Sequence, residues 1–173
     1  MDGNTIRLIV VATIATAFVV WVVASAIWRV GGVWERELTP AEREAGALPE
    51  QIVLAQLGPL VTGRRDVVGG HQELTGLVFG PVVRLNRRDH GVRALTGMGF
   101  PEPVAKKLDG EIMARLELKL RGGVLLEGTF APQKIEFTHQ PPKITRAYFL
   151  PPQRRRYRRV DTVTVPVEEP AAG

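Results

Sequence analysis

From Leu8 to Trp28 the chain carries no charged side chain, and this run limits the possible folds more than any other feature. Wound as a helix at about 1.5 Å per residue, it spans roughly 30 Å, the thickness of a bilayer's hydrocarbon core. Helical backbone satisfies its own polar groups, as lipid requires. A core helix of a soluble domain would carry a polar stripe, and this run has none. Trp28 and Trp34 stand where aromatic interface anchors are expected. The sequence therefore predicts a single-pass anchor over residues 1–30, held in the lipid bilayer as a signal anchor.

A cleaved signal peptide is the competing reading. Ala24-Ser25-Ala26 has the small-x-small form of a cleavage site, and Arg7 supplies an n-region charge. Against it, the apolar stretch before Ala24 exceeds the usual length of roughly 7–15 residues, and Asp2 opposes Arg7. Retention in the cell (inner) membrane is expected, with export after cleavage near Ala26 as the alternative. Arg29, Arg36 and Arg43 follow the run, whereas only Arg7 precedes it. That excess puts the C-terminal domain in the cytoplasm.

Residues 31–50 read as a juxtamembrane linker. Thr39-Pro40-Ala41-Glu42 has the marks of a capped helix start, and Gly46 and Pro49 stop that helix early. From Gln51 the period becomes two. Apolar β-prone runs separated by Gly58-Pro59, Gly69-Gly70 and Gly80-Pro81 are the pattern of a meander. Residues 51–152 are thus expected to form a mainly β domain of about eight strands, an antiparallel barrel or sandwich.

Pro101, Val104, Ala105, Leu108 and Gly110 mark one short helix near 101–109. The stretch Leu95-Thr96-Gly97-Met98-Gly99-Phe100 through Leu108 resembles the first helix and Met-Gly-Phe turn of a ubiquitin-associated domain. The likeness ends there, because a strand pattern follows where that family has a third helix. No family is identified across the chain.

Ile112, Ala114, Leu116, Leu118 and Leu120 alternate with Met113, Arg115, Glu117, Lys119 and Arg121, giving a strand with one buried face. A three-residue loop of Arg121-Gly122-Gly123 would pair Leu120 with Val124, Leu118 with Leu126 and Leu116 with Gly128, keeping every inward position apolar or small. Ala131-Pro132-Gln133 is read as the next turn, and Pro151-Pro152 as the end of the domain. Residues 153–173 are read as a basic segment and a flexible tail, the last residues being too polar and small to pack.

The only serine is Ser25, inside the apolar run, and cysteine is absent. Serine and thiol nucleophiles are therefore unavailable to the β domain. His71, His90 and His139 show no metal-ligand spacing, and Arg87-Arg88-Asp89-His90-Gly91 reads as a solvated turn. The glycines form neither a phosphate loop nor a dinucleotide fingerprint. No catalytic residue, metal site or cofactor is assigned, and no enzymatic activity is expected.

The net charge is +5, carried mostly by arginine. Arg154, Arg155, Arg156, Tyr157, Arg158 and Arg159 form the one cluster with a direct physical consequence. Such residues are not buried without partners. They suit anionic lipid headgroups or an acidic protein face, with nucleic acid less favoured. The expected function is a membrane-anchored, non-enzymatic interaction or scaffolding subunit with a protein partner. The alternative is a membrane-anchored barrel that binds a lipid or other apolar ligand, with Gly76, Gly80 and Gly128 leaving interior space.

Overall fold

The computed structural model describes residues 3–25 and 27–160. The expected tail at its C-terminal end lies outside the described residues beyond Val160. An N-terminal helix, α1 (Gly3–Ser25), is followed by a mainly antiparallel β domain with short helices. The candidate membrane span within α1 runs Ile6–Ala24.

Among the described residues nine strands follow: β1 (Gly32–Arg36), β2 (Gln51–Leu57), β3 (Leu60–Val67), β4 (Gly70–Phe79), β5 (Val82–His90), β6 (Ile112–Arg121), β7 (Leu125–His139), β8 (Pro142–Phe149) and β9 (Gln153–Val160). Pairing runs β6-β5-β4-β3-β2-β1-β9-β7, and β7 returns to β6. Eight strands thereby close into a barrel, whose closure leaves no free sheet edge around the wall. β8 stands outside the circuit and pairs with the far half of β7, from Gln133 to His139.

Two boundaries expected from the sequence are corrected. The linker contains β1, which pairs with β2 on one side and β9 on the other. Trp34, expected at a membrane interface, is fully buried in the barrel core, its Nε1 donating to the Val30 carbonyl at 2.8 Å. The basic segment contains β9, the strand that closes the barrel between β1 and β7. Only the short helix α2 (Pro40–Glu44) of the linker matches its forecast, capped reciprocally by Thr39 and Glu42. Those bonds, the Thr39 backbone N–H first, hold the Glu42 carboxyl below its ordinary range.

The strand directions give the barrel two ends. The proximal end collects the start of β1, the β2–β3, β4–β5 and β6–β7 turns, and the end of β9. The distal end carries α2, the β3–β4 turn, helices α3 (Val92–Gly97) and α4 (Glu102–Leu108), and the β7–β8 arm. Where one helix was expected, two form, joined through Met98-Gly99-Phe100. Leu95, Val104, Ala105 and Leu108 pack with Phe100 and with Ile135, Phe137 and Ile144 of the arm. β7 passes through Ala131-Pro132-Gln133 without turning. Pro132 stands where the pairing with β6 ends, so its missing N–H costs the ladder nothing.

The main core fills the barrel: Trp34, Ile52, Leu54, Val61, Leu74, Val78, Val83, Leu85, Leu116, Leu118, Leu120, Leu126 and Tyr157. An eight-stranded barrel is just wide enough to be filled this way. The β6–β7 register is shifted by two residues from the expected one. Leu118 faces Gly128, Leu120 faces Leu126, and the loop is Gly122-Gly123-Val124. Both glycines adopt positive φ, 55° and 74°, so they take the turn centre and Val124 is left exposed. A shift of two preserves the buried face.

Candidate functional site

β9 places the arginine cluster in a strand, so the pleat sends its residues alternately outward and inward. Arg154, Arg156 and Arg158 are exposed on the outer wall, while Arg155, Tyr157 and Arg159 point the other way. One stretch of sequence thus divides into two groups with different chemistry.

The inward group is structural. Tyr157 lies in the core beside Trp34 and Leu126, and burial, with Glu50 adding to it, pushes its phenol up to about 12. Arg155 stacks on the Phe130 ring at 4.7 Å, and Arg87 approaches the same ring at 5.5 Å. Burial, then the neighbouring Arg36, draws the Arg155 guanidinium below its ordinary range. Arg159 caps the proximal end. Its Nη2 donates to the carbonyls of Arg29 and Gly31 at 2.8 and 2.9 Å, and its guanidinium sits 4.8 Å from the Trp34 ring. Neither side chain is free for a partner in the way a tail arginine would be.

The outward group is partly balanced. Arg156 and Arg158 both reach Glu37, at 3.6 and 3.1 Å. Arg156 stands opposite Glu127, which pairs with Arg121 at 2.8 Å, and Arg158 stands opposite Glu35. Arg154 faces Thr129 across the ladder. The row runs along the barrel wall from the distal half toward the proximal end.

The distal mouth holds polar side chains that sequence reasoning had not brought together. Arg36 pairs with Glu42, Arg65 with Glu50 at 3.3 Å, and Arg87 Nη2 donates to Asp89 at 3.1 Å. Gln72 and Asp89 are buried. Their signal was strand parity: each falls on the inward period of its strand. Asp89 and His90, expected in a solvated turn, end β5 instead. His90 stacks on His71 across the ladder at 4.7 Å, with Glu73 3.4 Å from its Nε2. Among the described residues no group of three or more histidine, aspartate or glutamate side chains is arranged to hold a metal.

The glycines expected to leave ligand space serve the backbone. A Cβ on Gly76 would lie 1.8 Å from the Arg84 carbonyl oxygen, and one on Gly128 would lie 2.0 Å from that of Glu117. Gly80 sits in a proximal turn with φ of 58°. The strands close up at Gly76 and Gly128. Comparison with protein-family models, curated proteins and solved structures gives no match.

Proposed function

We propose that the chain is a membrane-tethered interaction subunit: α1 is retained in the inner membrane, and the barrel is a rigid stand on the cytoplasmic side that offers its wall and distal end to a protein partner. The observation that carries this reading is the junction between helix and barrel. α1 is exposed from Ile6 to Val20, as a lipid-facing helix would be, yet Trp21 at its end donates to the Val78 carbonyl at 3.2 Å and stacks on Phe79. A leader destined for removal has no need of such contacts.

Several features favour binding over catalysis. Serine and cysteine nucleophiles are missing from the β domain. The buried Asp89 is paired with Arg87, and the barrel interior is filled by its own side chains. That filling also favours this reading over an apolar ligand in the lumen. Arg154, Arg156 and Arg158 form a row along the wall, so at most its proximal end reaches headgroups. An acidic protein face fits the whole row better than a lipid surface does.

The experiment is membrane extraction combined with N-terminal sequencing. The chain should stay in the pellet through a carbonate wash and should keep the residues of α1. Release into the soluble fraction with a new N-terminus near Ile27 would overturn the reading. Protease added to sealed inner-membrane vesicles with the cytoplasmic face outward should digest the β domain, which checks the orientation.

A further inference from the structure

We propose that the proximal end of the barrel is itself seated in the bilayer interface, with the tips of the β2–β3 and β4–β5 hairpins among the lipid headgroups and upper acyl chains. The inference rests on the reading of α1 as a retained membrane span, and extends it from the helix to the barrel.

The tether leaves the barrel little freedom. Trp28 packs against the barrel core, Val30 is buried, and the Val30 N–H donates to Gln56 Oε1 at 2.8 Å. Arg159 holds the carbonyls of Arg29 and Gly31. Only residues 26 and 27 lie between Ser25 and this fixed segment. At most about 3.5 Å per residue, they allow on the order of 10 Å of separation. A membrane-embedded α1 therefore brings the proximal end to the headgroup layer.

The residues at that end suit the location. Ile52 to Gly63 and Leu74 to Val83 contain no charged side chain, although the distal halves of the same strands carry Arg64, Arg65, Asp66, Glu73, Arg87, Arg88 and Asp89. These two uncharged stretches are the proximal hairpins. On them Leu57 is 80% exposed, Leu60 54% and Phe79 44%. Phe79 meets Trp21, and Gly58 lies near Val22, so the apolar tips are continuous with the end of the span. A solvated hairpin tip would ordinarily be polar; adjacent apolar tips mark a contact surface. The third proximal tip, at Val124, is flanked by Arg121, paired with Glu127, with Lys119 and the Glu117-paired Arg84 nearby on the outer wall. Cations beside an apolar rim are what a headgroup layer accepts.

Lipid is favoured over a second copy or a partner protein because the tether holds this end against the membrane before any partner arrives. The absence of cysteine makes the test direct. Single-cysteine variants of the full chain, Leu57→Cys, Leu60→Cys, Val68→Cys and Val11→Cys, are spin-labelled and reconstituted in vesicles of phosphatidylethanolamine and phosphatidylglycerol. Collision rates with oxygen, which concentrates in lipid, and with a water-soluble nickel chelate are then compared. Val68, in the distal β3–β4 turn and 91% exposed, reports bulk water, and Val11 reports the span.

The oxygen-to-nickel ratio at Leu57 and Leu60 is expected to exceed that at Val68 several-fold, approaching that at Val11. A lipid-like ratio at Val11 with Leu57 and Leu60 matching Val68 overturns the inference and leaves the anchor intact. Low collision rates with both reagents at Leu57 and Leu60 would overturn it in favour of a protein contact. A water-like ratio at Val11 as well would bring down the anchor itself.

Discussion

Arg159→Gln and Arg154→Gln remove the same charge from the same strand, yet the barrel geometry gives them different consequences. Arg154 is exposed beside Thr129, and its replacement should change stability by no more than about 0.5 kcal/mol. Arg159 donates from one nitrogen to two carbonyls, at 2.8 and 2.9 Å, and lies over the Trp34 ring at 4.8 Å. Hydrogen bonds to a charged group contribute about 1.5–3 kcal/mol each when well buried, and a partly exposed cation over an aromatic ring adds about 0.5–1 kcal/mol. Because Arg159 is half-buried and glutamine recovers part of one bond, the low end applies, giving a loss of about 2–3 kcal/mol. For a domain of this size that lowers Tm by roughly 5–10 °C. Arg159→Lys, which keeps the charge but not the fork, should fall between. Thermal unfolding followed by circular dichroism, with the full chain in one detergent, reads all three. If Arg159→Gln and Arg154→Gln melt together, the inward assignment of Arg159 is wrong.

Other consequences can be checked alongside. Gly128→Ala and Gly76→Ala should each cost about 1–3 kcal/mol or more in urea unfolding, because the new Cβ meets a backbone carbonyl oxygen, whereas Gly97→Ala, open on all sides, should be tolerated. Tyr157 keeps its proton in the fold to about pH 12. Its raised value stabilises the fold fully below the ordinary tyrosine range, near pH 10, and is lost as pH climbs toward 12. Tyr157→Phe should therefore show a flatter stability profile than the wild type across that window, read by urea midpoints. A chain beginning at Trp28 should fold, since β1 and the Trp28 contact remain, while one beginning at Glu37 should not, having lost the strand between β2 and β9. Limited proteolysis separates these outcomes.

The parts of the fold that could be read from sequence are those in which one physical rule acts alone. The uncharged run spells out α1, the Thr39–Glu42 capping box spells out α2, and the alternation of Ile112 to Leu120 spells out β6. Sequence alone does not separate β9 from a basic tail, because period two is visible only when the two faces differ in polarity. In Arg154 to Arg159 both faces are arginine, with Tyr157 alone betraying the inner one. Long cationic stems can line a barrel end when the guanidinium finds an aromatic face or a carbonyl, as Arg155 and Arg159 do. Trp34 was ambiguous for a related reason. A tryptophan just past a membrane run fits the interface as well as a core, and only its pairing with β2 and β9 decides between them. The hairpin register differs by two residues because the apolar pattern favours Val124 inside, whereas the turn needs both glycines at its centre. The candidate site divided accordingly: its residues were found, but their separation into a wall group and a core group depends on a strand the sequence concealed.

Barrel closure depends on a seam between strands from opposite ends of the domain. β1 pairs with β9, joining Val33 to Val160 and Arg36 to Tyr157, while every other pair in the circuit except β7–β9 joins strands consecutive in the chain. A contact of such sequence separation contributes only after the intervening chain is ordered, since loop closure must be offset by contacts already made. The seam is therefore the pairing whose closure costs the most chain ordering, and polar contacts cross it. Arg159 ties β9 to the carbonyls ahead of β1, and Glu37, just past β1, takes Arg156 and Arg158. Hydrophobic pairing alone would leave this seam loosely specified, because β1 is short and β9 offers only Tyr157 to the core. Directional bonds from arginine fix its register instead. Of the wall arginines, Arg156 and Arg158 thus also fasten the seam through Glu37, while the inward Arg159 ties it at the proximal end.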